Sequence, residues 1–107
     1  MTEKIVVLCT CASAEEAERL ARELVGARLA ACVNILPGVR SFYRWQGKLE
    51  DAVEHLLLIK SSRDRFDELR AAIERLHSYD VPEVVAHAIV DGAPNYLDWL
   101  QKNLENE

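Results

Sequence analysis

Residues 30–61, AACVNILPGVRSFYRWQGKLEDAVEHLLLIKS, predict a long β-hairpin, and the fold class depends on it. The first half is extended, and residues 37–38, Pro-Gly, predict a bulge or bend because proline cannot join a regular ladder. Residues 46–48, Gln-Gly-Lys, predict a tight turn. The chain then returns over residues 49–61, whose centre is strongly apolar. The stretch therefore predicts two antiparallel strands with an interruption in the first.

The sequence before the hairpin predicts one strand followed by one helix. Residues 5–11, IVVLCTC, are apolar and β-branched, which predicts a strand buried on both faces. Ser13, with Glu16 three positions later, forms a capping box at the start of a helix. Apolar residues then recur at helical spacing, so the first helix is predicted over residues 14–27.

The sequence after the hairpin predicts a helix, a strand and one more helix. Ser62 is a predicted N-cap for a second amphipathic helix that ends near His77, and residues 84–90 predict a fourth strand. Asn95 is predicted to cap a short final helix, and the tail over residues 103–107 is predicted to fray. The order β-α-β-β-α-β with an added C-terminal helix predicts a ferredoxin-like α+β fold with an antiparallel sheet. A length of 107 residues fits one domain over residues 1–107.

Composition and motifs narrow the function classes. The formal net charge of −5 argues against nucleic acid, which needs a clustered basic surface. No apolar run has the length of a membrane span, and the N-terminus lacks the pattern of a signal peptide. Three cysteines, an odd number, do not form a disulfide framework and favour a reduced, cytoplasmic setting. Nucleotide-binding, zinc-protease and nucleophile-elbow motifs are all missing, so we do not expect an enzyme.

The central strands predict self-association. In the first strand Val6 and Leu8 occupy the opposite face from Val7 and Cys9, so apolar side chains lie on both sides of the sheet. Two helices cover one face of a ferredoxin-like sheet, and an open face normally carries polar residues. Copies of the same chain are the expected cover for the second face, because a bare apolar face invites aggregation. This reasoning predicts an oligomer without fixing its number.

Five segments of the chain closely resemble the CutA divalent-cation tolerance family. They are LAACVNILPGV at residues 29–39, FYRWQGKLE at 42–50, LIKS at 58–61, HSYDVPEV at 77–84 and NYLDWL at 95–100. The resemblance covers nearly the whole chain in the family's order and spacing. It implies a ferredoxin-like fold, a tight homotrimer with strand pairing between subunits, a cytoplasmic setting and a likeness to PII-type signalling proteins. It also implies copper binding and a part in the response to heavy-metal ions.

The resemblance implies a metal site at Cys9 and His77. The family's copper ligands are a cysteine at the end of the first strand and two adjacent histidines after the second helix, and Leu76 stands where the first histidine is expected. Thiolate and imidazole suit copper, although another divalent metal fits the pair as well. The alternative is that Cys9 is a small buried core residue and that His77 complements the helix dipole. Cys11 lies on the same face as Cys9 and forms a weak Cys-x-Cys metal signal.

Other cysteines and histidines have structural expectations. Cys32, between Ala31 and Val33, is expected in the core. His55 is expected at an interface or as a satisfied core residue, and His87 at the surface or an interface. No ligand role is predicted for any of these three residues.

A second site is expected in a polar cleft between subunits. Charged residues at the ends of apolar strands need partners when they are buried, and aromatic residues are frequent at interfaces. The predicted lining of the cleft is Tyr43, Trp45, Lys60, Tyr79, Glu83 and Trp99. The alternative for Lys60 and Glu83 is an intersubunit ion pair or exposed strand ends, and the tryptophans are packing anchors in that interpretation.

Three hypotheses for function remain open from the sequence. The first is a homotrimeric metal-responsive protein that uses Cys9 and His77. The second is a PII-like sensor in which Lys60 helps to bind a small anionic metabolite and metal binding is incidental. The third is a stable structural scaffold with no small ligand.

Overall fold

A single antiparallel sheet of four strands organises the chain in the computed structural model, which describes residues 2–105. In chain order the elements are β1 Lys4–Cys11, α1 Ala14–Gly26, β2 Cys32–Trp45, β3 Lys48–Ser62, α2 Phe66–Leu76, β4 Val85–Ala88 and α3 Pro94–Leu104. The strand order is β2-β3-β1-β4, and each neighbouring pair is antiparallel. This arrangement confirms the predicted ferredoxin-like α+β fold with an added C-terminal helix.

The long hairpin forms as the sequence predicts. β2 and β3 pair from Cys32 opposite Lys60 to Trp45 opposite Lys48, and the register shifts between residues 36 and 39, at the Pro-Gly pair. Gln46 and Gly47 form the two-residue turn, with φ of 50° and 78°, which matches the twist of the flanking strands. Within β3, only residues 55–62 pair with β1. Residues 39–54, here named the hairpin arm, therefore project beyond the rest of the sheet.

The core lies between one face of the sheet and the helices α1 and α2. In β1 the odd-numbered residues are buried and the even-numbered ones are only half-buried, as the two-residue period of a strand requires. The apolar side chains that are fully enclosed there include Val7, Cys9, Cys11, Leu20, Leu57, Ile59, Leu69 and Ile73. The predicted burial of β1 on both faces is therefore not met within one chain, because Val6 and Leu8 stay partly open.

The helix α3 lies at one end of the opposite sheet face. Lys4 Nζ donates a hydrogen bond to Gln101 Oε1 at 2.6 Å, and Lys60 Nζ lies 5.9 Å from the centre of the Tyr96 ring. Leu100 and Leu104 are buried against Ala31 in a small second cluster. The rest of this face, which includes Val6 and Leu8, stays partly exposed.

Four predictions about the ends of elements are wrong. Pro94 takes the first position of α3, so the helix begins before Asn95 and Ala93 occupies the cap position. The helix runs to Leu104, which is 1% exposed, so the predicted fraying does not include residues 103–104. The rest of the predicted frayed tail, residues 106–107, lies outside the described residues. Strand β4 is shorter than predicted, and Ser62 precedes a single 3-10 turn without a side-chain cap.

Within residues 2–105, the structure contains no helix that is both long and apolar enough to cross a membrane.

Candidate metal centre

Two thiols and one imidazole meet at the end of β1. Cys9 and Cys11 share the buried face of the strand because they are two residues apart. His77 follows the last residue of α2 and occupies its C-cap position. The sulfur atoms and a ring nitrogen of His77 all lie within 4.8 Å of one another, and all three residues are buried. The structure thus brings the two predicted ligands, Cys9 and His77, together and adds Cys11.

Hydrogen bonds define the tautomer of His77. Nε2 lies 2.8 Å from the carbonyl oxygen of Thr10, which can only accept, so Nε2 carries the proton. Nδ1 accepts the backbone N–H of Tyr79 at 3.0 Å. The ring is therefore neutral, and its Nε2 points toward Cys11 Sγ, 3.8 Å away. The imidazole pairs with a strand carbonyl and with its own loop rather than with the last carbonyls of α2.

The Cys9 thiol is held in its protonated form when no metal is bound. A hydrogen bond with Cys11 and burial away from water raise the pKa of Cys9 far above its ordinary value. Cys9 and Cys11 are both 0% exposed to solvent. A metal ion must therefore displace thiol protons when it binds, as thiolate ligation always requires.

Glu16 fixes the loop that carries His77. Its carboxylate accepts the N–H of Ser78 at 2.7 Å and the Ser78 hydroxyl at 3.1 Å. Burial raises the pKa of Glu16, but the two hydrogen bonds from Ser78, with the Arg19 guanidinium nearby, outweigh burial and hold this pKa below its ordinary value. Glu16 Oε2 lies 3.6 Å from His77 Nδ1. The carboxylate thus joins α1 to the loop after α2.

The predicted capping box is only half formed as a result. Ser13 Oγ accepts the N–H of Glu16 at 3.1 Å, as an N-cap does. The Glu16 side chain turns to Ser78 instead of returning to the N-cap residue. Sequence reasoning missed this contact because residues 62 positions apart give no local signal.

The donor set fits a thiophilic metal ion. Metal–sulfur bonds of about 2.3 Å and metal–nitrogen bonds of about 2.0–2.1 Å place the ligand atoms of a tetrahedral site roughly 3.5–3.8 Å apart. Cys11 Sγ and His77 Nε2 already lie 3.8 Å from each other. Two sulfurs with one imidazole suit Cu(I), zinc and similar soft or borderline ions. The residues that are present therefore match the chemistry of a heavy-metal site.

A cavity of about 630 Å³ lies beside this centre. Its walls include Thr10 and the first residues of the loop after His77, together with part of the hairpin arm. Among the predicted cleft residues, those that line this cavity are Tyr43, Trp45, Tyr79 and Glu83. The Tyr79 hydroxyl donates a hydrogen bond to buried Glu54 at 2.8 Å, and burial followed by this bond raises the pKa of Tyr79.

Lys60 and Trp99 lie away from the cavity within the single chain. Lys60 Nζ donates a hydrogen bond to Asn34 Oδ1 at 2.6 Å, and Trp99 stacks on Tyr96 with the ring centres 5.7 Å apart. Lys60 lies in β3 at the end of the sheet that α3 covers, and Trp99 belongs to α3 itself. The prediction that all six residues share a cleft between subunits remains a prediction.

The remaining cysteine and histidines differ in environment. Cys32 is half-buried and lies outside the cluster, so its predicted core position is only partly correct. His55 has a buried Nδ1 without a hydrogen-bond partner in the part of the chain that the structure describes, so it is not a satisfied core residue. His87 is exposed on β4, in agreement with the surface expectation.

The fold and this centre together define a small ferredoxin-like α+β protein with a buried thiol–imidazole cluster. Residues 5–103 match the family model described as CutA1 divalent ion tolerance protein. The divalent-cation tolerance protein CutA of Thermus thermophilus is 50% identical over 98 residues, which cover 92% of this chain and 95% of that protein. The chloroplastic protein CutA of Arabidopsis thaliana is 42% identical over 95% of this chain and 56% of its own length.

A solved structure points to the same family. The crystal structure of CutA from Xylella fastidiosa aligns with a TM-score of 0.95 and 38% identity, covering 97% of this chain and 100% of that one. The chain belongs to the CutA1 divalent ion tolerance protein family.

Proposed function

We propose that the protein is a homotrimeric divalent-cation tolerance protein that binds copper or another heavy-metal ion at Cys9, Cys11 and His77. The observation that carries the proposal is the meeting of two sulfurs and one imidazole nitrogen within 4.8 Å. Membership of a divalent ion tolerance family supports it. The proposed role is binding in the response to metal ions, and no catalytic step is assigned.

In the proposed site, some residues bind the ion and others hold these ligands in position. β1 holds both sulfurs on one face, so the pair is placed before an ion arrives. Glu16 and Ser78 hold the loop that presents His77. Thiolates favour Cu(I), and imidazole accepts either oxidation state of copper. Since the thiols are protonated without metal, binding releases their protons and weakens as the pH falls. For Nε2 of His77 to bind the ion, its proton moves to Nδ1, which gives up the hydrogen bond from Tyr79 N–H and faces Glu16 Oε2, 3.6 Å away.

The partly open sheet face and the hairpin arm support the proposed homotrimer. Phe42, Leu49 and Val53 of the arm are 64%, 73% and 62% exposed in the single chain. Apolar surface of this extent on a small domain is typical of an interface. Closed rotational symmetry is the usual form for soluble oligomers and gives every arm the same neighbour. The number three is the one that the family resemblance implies.

A cytoplasmic location is part of the proposal. All three cysteines are free, and Cys9 and Cys11 are fully enclosed as thiols. Free thiols are maintained in reducing compartments. Fractionation of the native host with an antibody to the chain tests this location directly.

Titration with Cu(I) and with Zn²⁺ under reducing, oxygen-free conditions tests the metal site. The wild-type chain is expected to bind one ion per chain, and Cys9→Ala is expected to bind at least about tenfold more weakly, since it removes a thiolate ligand. Cys32→Ala is the matched control, because Cys32 lies outside the cluster. Absence of metal uptake by the wild type, or equal affinity of the two variants, contradicts the proposal.

A second candidate function rests on the cavity of about 630 Å³. Its volume suits a small molecule, which favours a PII-like sensor in which metal is incidental. Within residues 2–105 its charged lining residues are Glu54, Asp80 and Glu83, so a neutral or cationic ligand fits this chain better than the anion expected from Lys60. A thermal-shift screen separates the candidates: stabilisation by a metabolite without any effect of metal favours the sensor.

A further inference from the structure

We propose that His55 is a fourth ligand of the centre, which makes it a closed Cys2His2 site for one divalent cation with tetrahedral preference, of the zinc type. This inference rests on the proposed metal-binding function and narrows it. It assigns the ion class and one more ligand, His55, to the cluster of Cys9, Cys11 and His77.

The sheet register places His55 beside the cluster. In the β1–β3 ladder Cys11 is directly opposite His55, and Cys9 is directly opposite Leu57. Residues that face each other in an antiparallel pair project to the same side, with their Cβ atoms about 4.5–5.5 Å apart. The imidazole of His55 therefore stands next to the Cys11 thiol, on the face that already holds both sulfurs.

One ring nitrogen of His55 lacks a hydrogen-bond partner, and a bound metal ion supplies the missing partner. Among residues 2–105, His55 Nδ1 is the one buried side-chain nitrogen or oxygen without a hydrogen-bond partner. Buried polar atoms in folded proteins nearly always have a partner, so an unpaired one indicates a missing ion or water. A neutral imidazole with a free nitrogen lone pair is the form that ligates metals.

Rotation of one side chain completes the set. His55 is outside the group of donors that lie within 4.8 Å of one another. It is half-buried rather than fully enclosed, and the proposal requires its ring to turn about its side-chain bonds toward the two sulfurs.

Charge balance decides the class of ion. The ligand set of two thiolates and two neutral imidazoles carries a total charge of −2, which one divalent cation neutralises, and the nearby Glu16 carboxylate has its own counter-charge in Arg19, 3.9 Å away. A monovalent ion leaves one uncompensated negative charge in a buried site, and such a charge is costly. Tetrahedral S2N2 sets are typical of zinc, whereas Cu(II) prefers square-planar nitrogen and oxygen ligands. The full set therefore favours Zn²⁺, or its heavier congener Cd²⁺, over both oxidation states of copper.

Zinc binding by His55→Gln, compared with His87→Gln, tests the inference on the full chain. Chelator competition is expected to show a loss of Zn²⁺ affinity of at least about tenfold in His55→Gln and none in His87→Gln, since exposed His87 lies opposite Val6, on the other sheet face from the sulfurs. X-ray absorption at the zinc edge is expected to count two sulfurs and two imidazoles in the wild type. This count requires no substitution, so it stays informative if His55→Gln folds poorly.

The experiment distinguishes failure of the proposed metal-binding function from failure of the role of His55. A wild type that binds no zinc or copper overturns both the proposed function and this inference. A wild type with one imidazole at the zinc edge, or equal zinc affinity in the two histidine variants, overturns the role of His55 alone. In that case the three-ligand site stands, and a water molecule is the partner of Nδ1.

Discussion

The three cysteine side chains differ in burial, so we expect them to react at different rates. Cys9 and Cys11 have no exposed surface, and the raised pKa of Cys9 keeps it a thiol at neutral pH. Cys32 is partly exposed. Because the thiolate is the reactive form, a maleimide or iodoacetamide is expected to modify Cys32 first in the metal-free native protein. Peptide mass spectrometry after timed quenching measures the order.

The denatured chain is the control for this experiment. All three cysteines are expected to react at similar rates once burial is lost, because their intrinsic reactivities are alike. Faster native labelling of Cys9 than of Cys32 contradicts the environment described for β1.

The Glu16 carboxylate is expected to contribute a pH-dependent part of the stability. It accepts two hydrogen bonds from Ser78, and Glu16→Gln replaces charge-assisted bonds by neutral ones, which costs about 1–2 kcal/mol. The lowered pKa means that the charged form is favoured by folding, so this contribution is complete above the ordinary pKa of 4.5. It is lost as the pH falls through the lowered pKa. Denaturant unfolding of the metal-free protein at several pH values measures the difference.

Glu15→Gln is the matched control because Glu15 is exposed in the same first turn of α1 and has the same relation to the helix dipole. It is expected to change the free energy of unfolding by less than about 0.5 kcal/mol. A Glu16 effect that persists unchanged at low pH argues against the carboxylate as its source.

At the scale of elements, the hairpin turn depends on one glycine. Gly47 has φ of 78°, a left-handed conformation that costs a residue with a side chain about 1–2 kcal/mol. Gly47→Ala is therefore expected to lower the free energy of unfolding by that amount, measured in denaturant. Gly26, at the end of α1, has open space around its Cα, so Gly26→Ala is expected to be neutral or stabilising. Equal effects at the two positions contradict this account of the turn.

The elements that the sequence predicted well are those with local signals. The bulge at residues 37–38 and the turn at residues 46–47 follow from backbone restrictions of proline and glycine, and both are present. The start of α3 was predicted at Asn95, but proline at the first helical position competes for the same role and prevails. The end of α3 was missed because Leu104 is held by packing with Ala31, a contact between distant parts of the chain.

In the candidate site too, features with local signals could be predicted and contacts between distant parts of the chain could not. Resemblance to the family supplied Cys9 and His77, and the two-residue period of a strand placed Cys11 beside Cys9. The bond from Ser78 to Glu16 and the position of His55 opposite Cys11 depend on which strands and loops become neighbours. No spacing along the sequence carries that information.

On the scale of the whole molecule, the two faces of the sheet differ in how fully the helices of one chain cover them. The helices α1 and α2 enclose one face fully, whereas α3 reaches only one end of the other. Leu8 and Leu58 pair across β1 and β3 on this second face and stay half-buried. A chain of 107 residues has little stability to spare, so unburied apolar surface is a cost that assembly removes.

Leu58→Glu is expected to dissociate the proposed homotrimer. A carboxylate on the second sheet face stays hydrated in one chain but loses water without a partner when copies pack there, which is strongly unfavourable. Analytical ultracentrifugation is expected to give three chain masses for the wild type and one for Leu58→Glu. Val25→Glu is the matched control, since Val25 is 41% exposed on α1, away from that face, and should leave the trimer intact. A wild type that sediments as a single folded chain at micromolar concentration refutes the assembly.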